Sequence, residues 1–508
     1  MPDWLLTKRG YLTALSLYVL VLYLIKGTLY WGGLGHDVDQ IVTSQTTQLG
    51  YDNRNPPLYT WLVIASQAVF GVGLPAVLVV KSTMIFSLYL FLYLSARLVL
   101  RNEAMAVLAA LAPFAMYEVG LWLAIKYSHT AALAAMCAAT FYVLLRLEDA
   151  GKTIWYAGLG AVIGLGLLAK YNYVIFLLSL LTACLFDPGF RARFRDRRIL
   201  VTAAIALILF LPHVYWMAVH VADFEESAAS RFGIGGSEPR LLALGIGLLA
   251  SVKAILNMLA PLVAIALFLA WRSFRKGIPG DWPSKRYFRL LGIFLLLSVA
   301  SIFILVIGSG ATMVRGQYLF ILVIFPIWLF AWIQALGLPR VALRGMGLAF
   351  TSLALLTPVV MVGKYFTHPL THDYTPYNMP YAVLAEQLRG VGFQAGTLYT
   401  FDSPYTLSGN LRPYFPASRV VARAGGKTAV VRSIAPERTE HGQCILIWAV
   451  DRKSTQDKAM TKAAQELFGF EGTEGSELLQ SEVKIMQGRG RAVHFQYRFF
   501  PEGPGSCH

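Results

Sequence analysis

Long apolar runs constrain the fold of this chain more than any other feature. They recur from Tyr11 onward, and each has the ~18 or more residues needed to cross ~30 Å of hydrocarbon. Of the 508 residues, 56% are hydrophobic and only 14% are charged. Because lipid offers no hydrogen-bond partners, the backbone of such runs has to form helices. The sequence therefore predicts a polytopic α-helical membrane protein. The opening MPDWLLTKRG has no small-residue cleavage site, which favours an uncleaved first helix over a signal peptide.

The apolar runs define about eleven transmembrane helices. The predicted spans are 11–30, 74–96, 104–120, 129–146, 154–169, 171–187, 199–217, 241–270, 290–308, 317–335 and 346–363. The fifth and sixth share one apolar stretch, so nine or ten spans are alternatives.

The positions of lysine and arginine predict the orientation, since basic residues concentrate in cytoplasmic loops. If Lys8 and Arg9 are cytoplasmic, every second connection carries the basic residues. These are Arg97 and Arg101, Arg146 and Lys152, 191–198, 272–289, and Arg340 and Arg344. This asymmetry explains the net charge of +16 without nucleic acid as a partner. In this orientation the first loop (31–73), the 218–240 loop and the residues after 364 face the periplasm or its equivalent.

The composition changes after Lys364. Residues 365–508 contain the strand-like runs QCILIWAV and AVHFQYRFF and an amphipathic helix near 455–469. About 140 residues suffice for one small α/β domain. We therefore predict a transmembrane domain (1–364) and a soluble extracytoplasmic α/β domain (365–508). Cys444 and Cys507 lie in the second domain, where a disulfide is allowed, although the sequence leaves their pairing open.

The first loop is long, polar and acidic. It contains Asp37 and Asp39 in a helix-length polar stretch up to Leu49, followed by Asn55-Pro56-Pro57. The next run, LYTWLVIASQAVF, is apolar enough to lie at the membrane interface with Tyr59 and Trp61 at headgroup depth. Acidic residues in loops often have no function, but two carboxylates where a chain leaves the membrane are costly. Desolvation raises the basicity of a carboxylate, which suits a general base acting on a hydroxyl.

Cations inside the predicted spans form a second candidate group. They lie towards the external ends, where the charge asymmetry of the loops does not explain them: Lys81, Lys126, Lys170, Lys253 and Arg315. Each alone is explained by a long side chain that reaches the interface. Five on the side of the acidic loop instead indicate a pocket that neutralises phosphate.

Glu118 and His129 bracket the short loop between the third and fourth spans, and each could be a satisfied polar group at a helix end. The HPLTHD run (368–373) has Pro369 between its histidines, which disfavours a helical metal pair. The sequence requires no cofactor, although a divalent metal remains possible. It has no Walker lysine loop, dinucleotide fingerprint, G-x-S-x-G or C-x-x-C motif.

Several of these segments together resemble the GT-C glycosyltransferases of the protein-mannosyltransferase-like group. Within that group the chain is similar to bacterial enzymes that move a sugar from a polyprenyl phosphate to lipopolysaccharide or another envelope acceptor. The resemblance covers most of residues 1–335. The matching segments are Asp37–Gln40, Gly50-Tyr51, Asn55–Tyr59, GLGLLAKYNYVIFLL (164–178) and RGQYLF (315–320).

The resemblance implies an aspartate base in the first loop and basic residues that hold the donor phosphate. The family usually has Asp-Glu in this loop, whereas spacing back from Ser44 places His36 first and Asp37 second. Asp37 or Asp39 is then the base, and Asp37 is favoured. A lysine often precedes the double proline, where this chain has Asn55. The acidic residue expected before the fourth span is replaced by His129, with Glu118 upstream. The cavity residues implied are Glu118, His129, Asn55, Tyr59 and Tyr171.

The expected reaction is therefore inverting transfer to an envelope acceptor by a monomeric enzyme. Lys170 and Arg315, helped by Lys81, Lys126 or Lys253, would bind the phosphate of the polyprenyl-linked sugar. Asp37 would accept the proton of a hydroxyl on a membrane lipid or glycolipid. A transporter of lipid-linked sugars is the alternative, but it should have polar residues near mid-membrane and an internal repeat, and the sequence has neither. A scaffold without activity is a third hypothesis.

The topology can be tested with reporter fusions. A periplasm-active reporter fused after Lys364 should be active, whereas one fused within 191–198 should be inactive, because the basic runs stay in the cytoplasm. Alkaline phosphatase activity in intact cells measures both. A cytoplasmic location for residues 365–508 would place Asp37 and the cations on the wrong side for this reaction.

Overall fold

The computed structural model describes residues 3–33, 35–51, 55–221, 232–234, 239–274, 282, 284–367, 379–401, 406–423, 443–450, 477–483 and 491–500. The described chain is mostly helical, with one small sheet in its C-terminal part. The HPLTHD run and the helix predicted near 455–469 lie outside these residues.

The helices follow the apolar runs closely. In chain order they are α1 Lys8–Leu24, α2 His36–Thr43, α3 Leu58–Phe70, α4 Leu74–Leu100, α5 Glu103–Leu111, α6 Leu123–Ile125, α7 His129–Ala150, α8 Thr153–Ala169, α9 Tyr173–Leu185, α10 Pro188–Phe194, α11 Ile199–Val219, α12 Arg240–Phe274, α13 Lys285–Ser309, α14 Phe325–Ala335, α15 Arg340–Thr367, α16 Tyr381–Gly390 and α17 Thr406–Leu411. Shorter 3₁₀ segments occupy Asp3–Leu6, Ala112–Ala115, Gly316–Leu322 and Arg412–Tyr414, and π-helical turns occupy Ile25–Leu29 and Glu118–Trp122.

Each of the eleven predicted spans coincides with a helix or with a bent pair of helices. Within the described ranges, seven helices are long and apolar enough to cross a membrane, and three bent pairs raise the number to ten. The pairs are Glu103–Ala115 with Glu118–Ile125 (83°), Tyr173–Leu185 with Pro188–Phe194 (111°), and Gly316–Leu322 with Phe325–Ala335 (50°). The 17-residue apolar helix α8 matches the remaining prediction. The polytopic helical fold is therefore confirmed.

Contacts within the chain divide it into two compact units. The helical unit contains residues 1–21, 53–59 and 81–358. The loop–sheet unit contains residues 22–52, 60–80 and 359–508, so most of the first loop packs with the C-terminal part of the chain. The division at residue 364 drawn from composition stays a prediction.

In the helical unit, α8 and α11 pack closely through two glycines. A β-carbon on Gly160 would lie 2.6 Å from the carbonyl oxygen of Thr202, and one on Gly164 would lie 2.8 Å from Cβ of Leu209. The hydroxyl of Thr202 also donates to the carbonyl of Tyr156 at 2.8 Å. Small residues four apart let transmembrane helices approach in this way. The contact fixes α8, whose C-terminal cap is Lys170.

Asp187 fixes the sharp turn between α9 and α10. Its Oδ1 accepts hydrogen bonds from the backbone N–H groups of Gly189 and Phe190, which caps α10. Its carboxylate also accepts from Nε and Nη2 of Arg286, at 2.7 and 2.5 Å. Nη2 of Arg286 donates to Glu148 Oε1 at 3.0 Å. One arginine thus links the ends of α7 and α13 to this turn.

The loop–sheet unit contains a five-stranded mixed sheet. Its strands are β1 Gly396–Phe401, β2 Arg419–Arg423, β3 Gln443–Val450, β4 Glu477–Val483 and β5 Arg491–Phe500. Their order is β2-β1-β3-β5-β4, with β1 parallel to β2 and β3, and β5 antiparallel to β3 and β4. Leu384, Leu388, Leu398, Ile445 and Phe495 form part of the core between the sheet and α16.

The predicted strands QCILIWAV and AVHFQYRFF correspond to β3 and β5, which supports an α/β arrangement in this part of the chain. Cys444 on β3 is disulfide-bonded, whereas Cys137 and Cys184 are free. The fourth cysteine, Cys507, lies outside the described residues.

The close contact at Gly160 gives a stability test. Gly160→Ala should lower the free energy of unfolding by about 1–3 kcal/mol, because its methyl group overlaps the carbonyl of Thr202. Gly158→Ala is the matched control, since a β-carbon there meets only Val143 Cγ1 at 3.7 Å. Thermal unfolding of both variants in detergent measures the difference. Equal melting temperatures would contradict the packing argument.

Candidate active site

The first carboxylate lies on a short helix of the first loop. Helix α2 begins after Gly35, which has a φ of +59° that glycine adopts without strain. Asp37 is in the first helical turn and is only 1% exposed. Unpaired backbone N–H groups and the helix dipole favour a negative charge at this end. The helix therefore places an acidic group in a buried position and partly compensates its charge.

Lys26 forms a buried ion pair with this carboxylate. It lies in the π-helical turn Ile25–Leu29 that follows α1, and its Nζ is 2.9 Å from Oδ2 of Asp37. The side chains of Lys26 and Asp37 are 6% and 1% exposed. The prediction from sequence considered only burial, which favours the neutral carboxyl group of Asp37. The ammonium group of Lys26 has the opposite effect, because a nearby positive charge favours the ionised carboxylate.

Sequence reasoning missed Lys26, although a signal was present. Lys26 lies near the external end of the first predicted span, as the five selected cations lie near the ends of theirs. Lys26 and Asp37 are 11 residues apart and lie on different helical segments. No local sequence pattern therefore indicates that they pair. Only the folded chain brings the two side chains together.

Asp39 has a different environment from Asp37. Its Oδ2 lies 3.4 Å from Nδ1 of His36, and the two side chains are 17% and 36% exposed. The His36–Asp39 pair is more exposed than the Lys26–Asp37 pair, and His36 is a cation only when it is protonated. It therefore holds its carboxylate less firmly than Lys26 holds that of Asp37. The geometry thus distinguishes the two candidate bases, and Asp37 is the more constrained one.

Lys170 occupies a buried position in the helical unit. Its backbone is extended after α8, and its side chain points to α7, where Nζ donates to Thr130 Oγ1 at 2.7 Å. The same Nζ lies 5.6 Å from the centre of the Tyr318 ring. A buried ammonium group beside a hydroxyl and an aromatic face can bind an anion that enters the site.

Arg315 lies on the loop that carries Tyr318. It is exposed, it precedes the 3₁₀ segment Gly316–Leu322, and its carbonyl accepts from the N–H of Tyr318 at 2.9 Å. Nδ2 of Asn172, two residues after Lys170, donates to the carbonyl of Tyr318 at 2.9 Å. The structure thus brings the segments of Lys170 and Arg315 together.

The other three cations have different surroundings. Lys81 is buried on α4, at 3% exposure. Lys126 is exposed, with Nζ 5.9 Å from the Trp122 ring centre, and Lys253 is exposed on α12. The contacts described for Lys170 and Arg315 do not include Lys253.

Glu118 provides a further carboxylate, which lies beside Gly316. It lies in the π-helical turn at the bend of the third span, and its Oε2 accepts from the hydroxyl of Tyr127 at 2.9 Å. A side chain on Gly316 would overlap this carboxylate, so the side chain of Glu118 would have to move. Sequence selected Glu118 but not Tyr127 or Gly316.

The aromatic and amide candidates lie in the helical unit. The ring of Tyr59 is fully buried, and its centre is 5.3 Å from that of His129. The hydroxyl of Tyr171 is 3.2 Å from Nε2 of His213. Asn55 is partly buried before Pro56 and Pro57. Since His129 directly precedes Thr130, the N-terminus of α7 links Tyr59 with the Lys170 contact.

The described residues contain no group of three or more histidine, cysteine, aspartate or glutamate side chains placed to hold a metal ion. Independently of this, the charged side chains described above can provide acid–base and electrostatic chemistry. A buried ionised carboxylate can accept a proton, and the lysine and arginine can bind a dianionic group.

The Lys26–Asp37 pair can be tested by a double-variant cycle. Lys26→Met should destabilise the protein by about 3–5 kcal/mol, because it leaves a buried carboxylate without its cation. Asp37→Asn in the same background should recover part of that loss. Thermal unfolding measures each variant, with the exposed Lys152→Met as control. A double variant less stable than Lys26→Met alone would contradict the pairing.

Known proteins of similar sequence cover most of the chain. The dolichyl-phosphate-mannose-protein mannosyltransferase family matches residues 54–216. The chain is 29% identical over 465 residues, 91% of each chain, to the lipopolysaccharide core galacturonosyltransferase RgtB of Rhizobium johnstonii. It is 30% identical over 390 residues, 76% of each chain, to the lipopolysaccharide core galacturonosyltransferase RgtA of the same organism.

The fold also matches a solved structure. ArnT from Cupriavidus metallidurans bound to undecaprenyl phosphate superposes with a TM-score of 0.61 at 14% identity, covering 99% of this chain and 100% of ArnT. Its apo state gives a TM-score of 0.59 at 15% identity, covering 96% and 98%. This likeness concerns the fold, whereas the identity to RgtA over most of both chains concerns the family. The chain belongs to the family of GT-C glycosyltransferases that includes the lipopolysaccharide core galacturonosyltransferases RgtA and RgtB.

Proposed function

We propose that this glycosyltransferase moves a hexuronic acid, most simply galacturonic acid, from a polyprenyl-phosphate donor to the core of lipopolysaccharide. The observation that carries the proposal is the buried Lys26–Asp37 pair in the first external loop. It holds an ionised carboxylate on a rigid helix, as a base for a sugar hydroxyl requires. The names of RgtA and RgtB support the sugar and the acceptor, and the ArnT complex with undecaprenyl phosphate supports a lipid-phosphate donor.

The donor phosphate is assigned to Lys170 and Arg315. The Nζ of Lys170 already occupies a buried position beside Thr130, and Arg315 begins the neighbouring loop. As the glycosidic bond breaks, negative charge grows on the departing phosphate, and cations fixed in advance stabilise it without reorganisation. Lys81 is the third candidate for this role, because it is buried as well.

The donor proposed here carries two anionic groups, the phosphate and the carboxylate of the sugar. A donor with two anionic groups needs more cations in its binding site than a donor with a neutral sugar does. Lys126 and Lys253 are exposed in the folded chain and are the candidates for contact with the carboxylate of the sugar. Charge-assisted contacts to a carboxylate would then distinguish a uronic acid from an uncharged hexose.

Asp37 is assigned as the general base. It accepts the proton of the acceptor hydroxyl while the hydroxyl oxygen bonds to the anomeric carbon, and the bond from that carbon to the phosphate oxygen breaks. The polyprenyl phosphate leaves with the electron pair, and the anomeric configuration inverts. The proton then passes from Asp37 to solvent. Asp39, paired with His36, is the alternative base.

The reaction is assigned to the periplasmic face of the inner membrane, with residues 365–508 as a periplasmic domain. The disulfide at Cys444 supports this side, because disulfides persist in oxidising compartments. The basic residues in alternate connections support it independently. Membership of a glycosyltransferase family favours an enzyme over a transporter of lipid-linked sugars.

Transfer by purified protein tests the proposed function. Wild-type protein in lipid nanodiscs, given polyprenyl-phosphate galacturonate and lipopolysaccharide that lacks core uronic acid, should add the mass of one hexuronic acid. Asp37→Asn should slow single-turnover transfer by roughly 10²–10⁴-fold, the usual worth of a positioned base, while donor binding persists. Asp39→Asn should have the smaller effect.

Three results would change the proposal. Transfer only from an uncharged or amino-sugar donor would reject the uronic acid but keep the reaction. Normal transfer by Asp37→Asn with loss in Asp39→Asn would exchange their roles. Normal transfer by both variants would reject the first loop as the catalytic centre.

A further inference from the structure

The helix that carries Asp37 is held by a segment that lies 371 residues further along the chain, counted from Ile41 to Arg412. Helix α17 and the 3₁₀ turn Arg412–Tyr414 belong to the loop–sheet unit, as does α2. Neither segment is part of the motif that identifies the family. Their contacts with α2 involve both ends of the helix and its middle.

Before the N-terminus of α2, Asn410 binds the backbone in two places. Its Oδ1 accepts from the N–H of Gly33 at 2.7 Å, and its Nδ2 donates to the carbonyl of Gly33 at 3.3 Å. Nδ2 also donates to the carbonyl of Thr406 at 2.7 Å. Asn410 is 6% exposed, so these bonds are shielded from water. They fix the chain three residues before α2 begins.

At the C-terminus of α2, the guanidinium of Arg412 binds the backbone and a side chain. Nη1 donates to the carbonyl of Ile41 and, at 3.0 Å, to the hydroxyl of Ser44. Nη2 donates to the carbonyl of Ser44 at 3.4 Å. The last carbonyls of a helix have no partner within it, and a cation favours their negative end. Arg412 therefore completes the end of α2.

Burying Arg412 is costly. The residue is 5% exposed, and burial lowers the pKa of its guanidinium to about 10. Within the described ranges it makes no ion pair, and its Nε has no hydrogen-bond partner. An uncharged residue would avoid this cost of desolvation. The hydrogen bonds that offset it fix the C-terminal end of α2, the helix that carries Asp37.

The middle of α2 packs closely against α17 at Gly409, which has no side chain. A β-carbon on Gly409 would lie 2.6 Å from the carbonyl oxygen of Val38 and 2.8 Å from its Cβ. Val38 directly follows Asp37 and is fully buried. Any side chain at position 409 would push α2 away at the residue next to the carboxylate.

We propose that Arg412 is a positioning residue for Asp37, assisted by Asn410 and Gly409. It acts through the backbone of α2, which holds the carboxylate at a fixed distance from the acceptor hydroxyl. The C-terminal chain is then part of the catalytic apparatus. This inference rests on the proposed role of Asp37 as the base. A misplacement of about 1 Å at a reacting group can cost on the order of 10²-fold in rate.

The test measures single-turnover rate, KM for the donor and thermal stability of Arg412→Met and Arg412→Lys. Arg412→Met should reduce the rate by about 10–100-fold with the KM for the donor unchanged, and Arg412→Lys should recover part of it. Glu386→Gln is the control, because Glu386 is an exposed charged residue on α16 of the same unit. It should transfer at the wild-type rate.

The same substitution in the Asp37→Asn background separates positioning from general damage. If Arg412 acts through Asp37, Arg412→Met should slow Asp37→Asn no further, since residues that act as a unit are not additive. An equal loss in both backgrounds would overturn the inference. If Arg412→Met does not fold, Gly409→Ala provides the same comparison by displacing α2 at Val38.

The results also distinguish this inference from the proposed function. If Asp37→Asn is slow but Arg412→Met and Gly409→Ala transfer normally, only the positioning role is overturned. If Asp37→Asn itself transfers at the wild-type rate, the assignment of the base is wrong and the positioning role falls with it.

Discussion

The arrangement of the external loop depends on one buried ion pair, between Lys26 and Asp37. Removing two charges from water is expensive, and their attraction repays the cost only when the geometry is good and nearby polar groups are satisfied. The turn after α1 has to present Lys26, and α2 has to present Asp37, at a distance of 2.9 Å. A mobile loop would not keep this geometry. The pair therefore requires that both segments be held by further contacts.

The loop–sheet unit provides those contacts. Thr60 donates to Gln40 Oε1 on α2 at 2.9 Å, and Gln67 donates to the hydroxyl of Ser44 at 2.8 Å, so α3 also holds the helix. The side chain of Gln45 pairs with both backbone groups of Val420 on β2, at 2.8 and 2.9 Å. The sheet is thus connected directly to the chain that leaves α2. A small α/β structure that could be regarded as an accessory domain instead determines where the first-loop carboxylate lies.

The helical unit contains broken helices, and two of the breaks carry charged candidate residues. A continuous transmembrane helix uses all its backbone groups internally and offers little for binding a charged ligand. Here Glu118 lies at an 83° bend, and Arg315 precedes a 3₁₀ segment that meets α14 at 50°. Such breaks place polar side chains at the ends of the helical segments. The donor-phosphate residues proposed above come from these breaks and from the end of α8.

The sequence by itself determined the transmembrane helices, the interfacial helix Leu58–Phe70, and strands β3 and β5, because hydropathy and side-chain period are local properties. It also identified Asp37, Lys170 and Arg315 as unusual charges. The tertiary structure alone decided that Asp37 pairs with Lys26 and that α2 ends at Thr43, not at Leu49 as the polar stretch suggested. It decided too that Arg412 completes that helix from 371 residues away. Contacts between distant segments follow from how the whole chain packs, and no local pattern in the sequence encodes them.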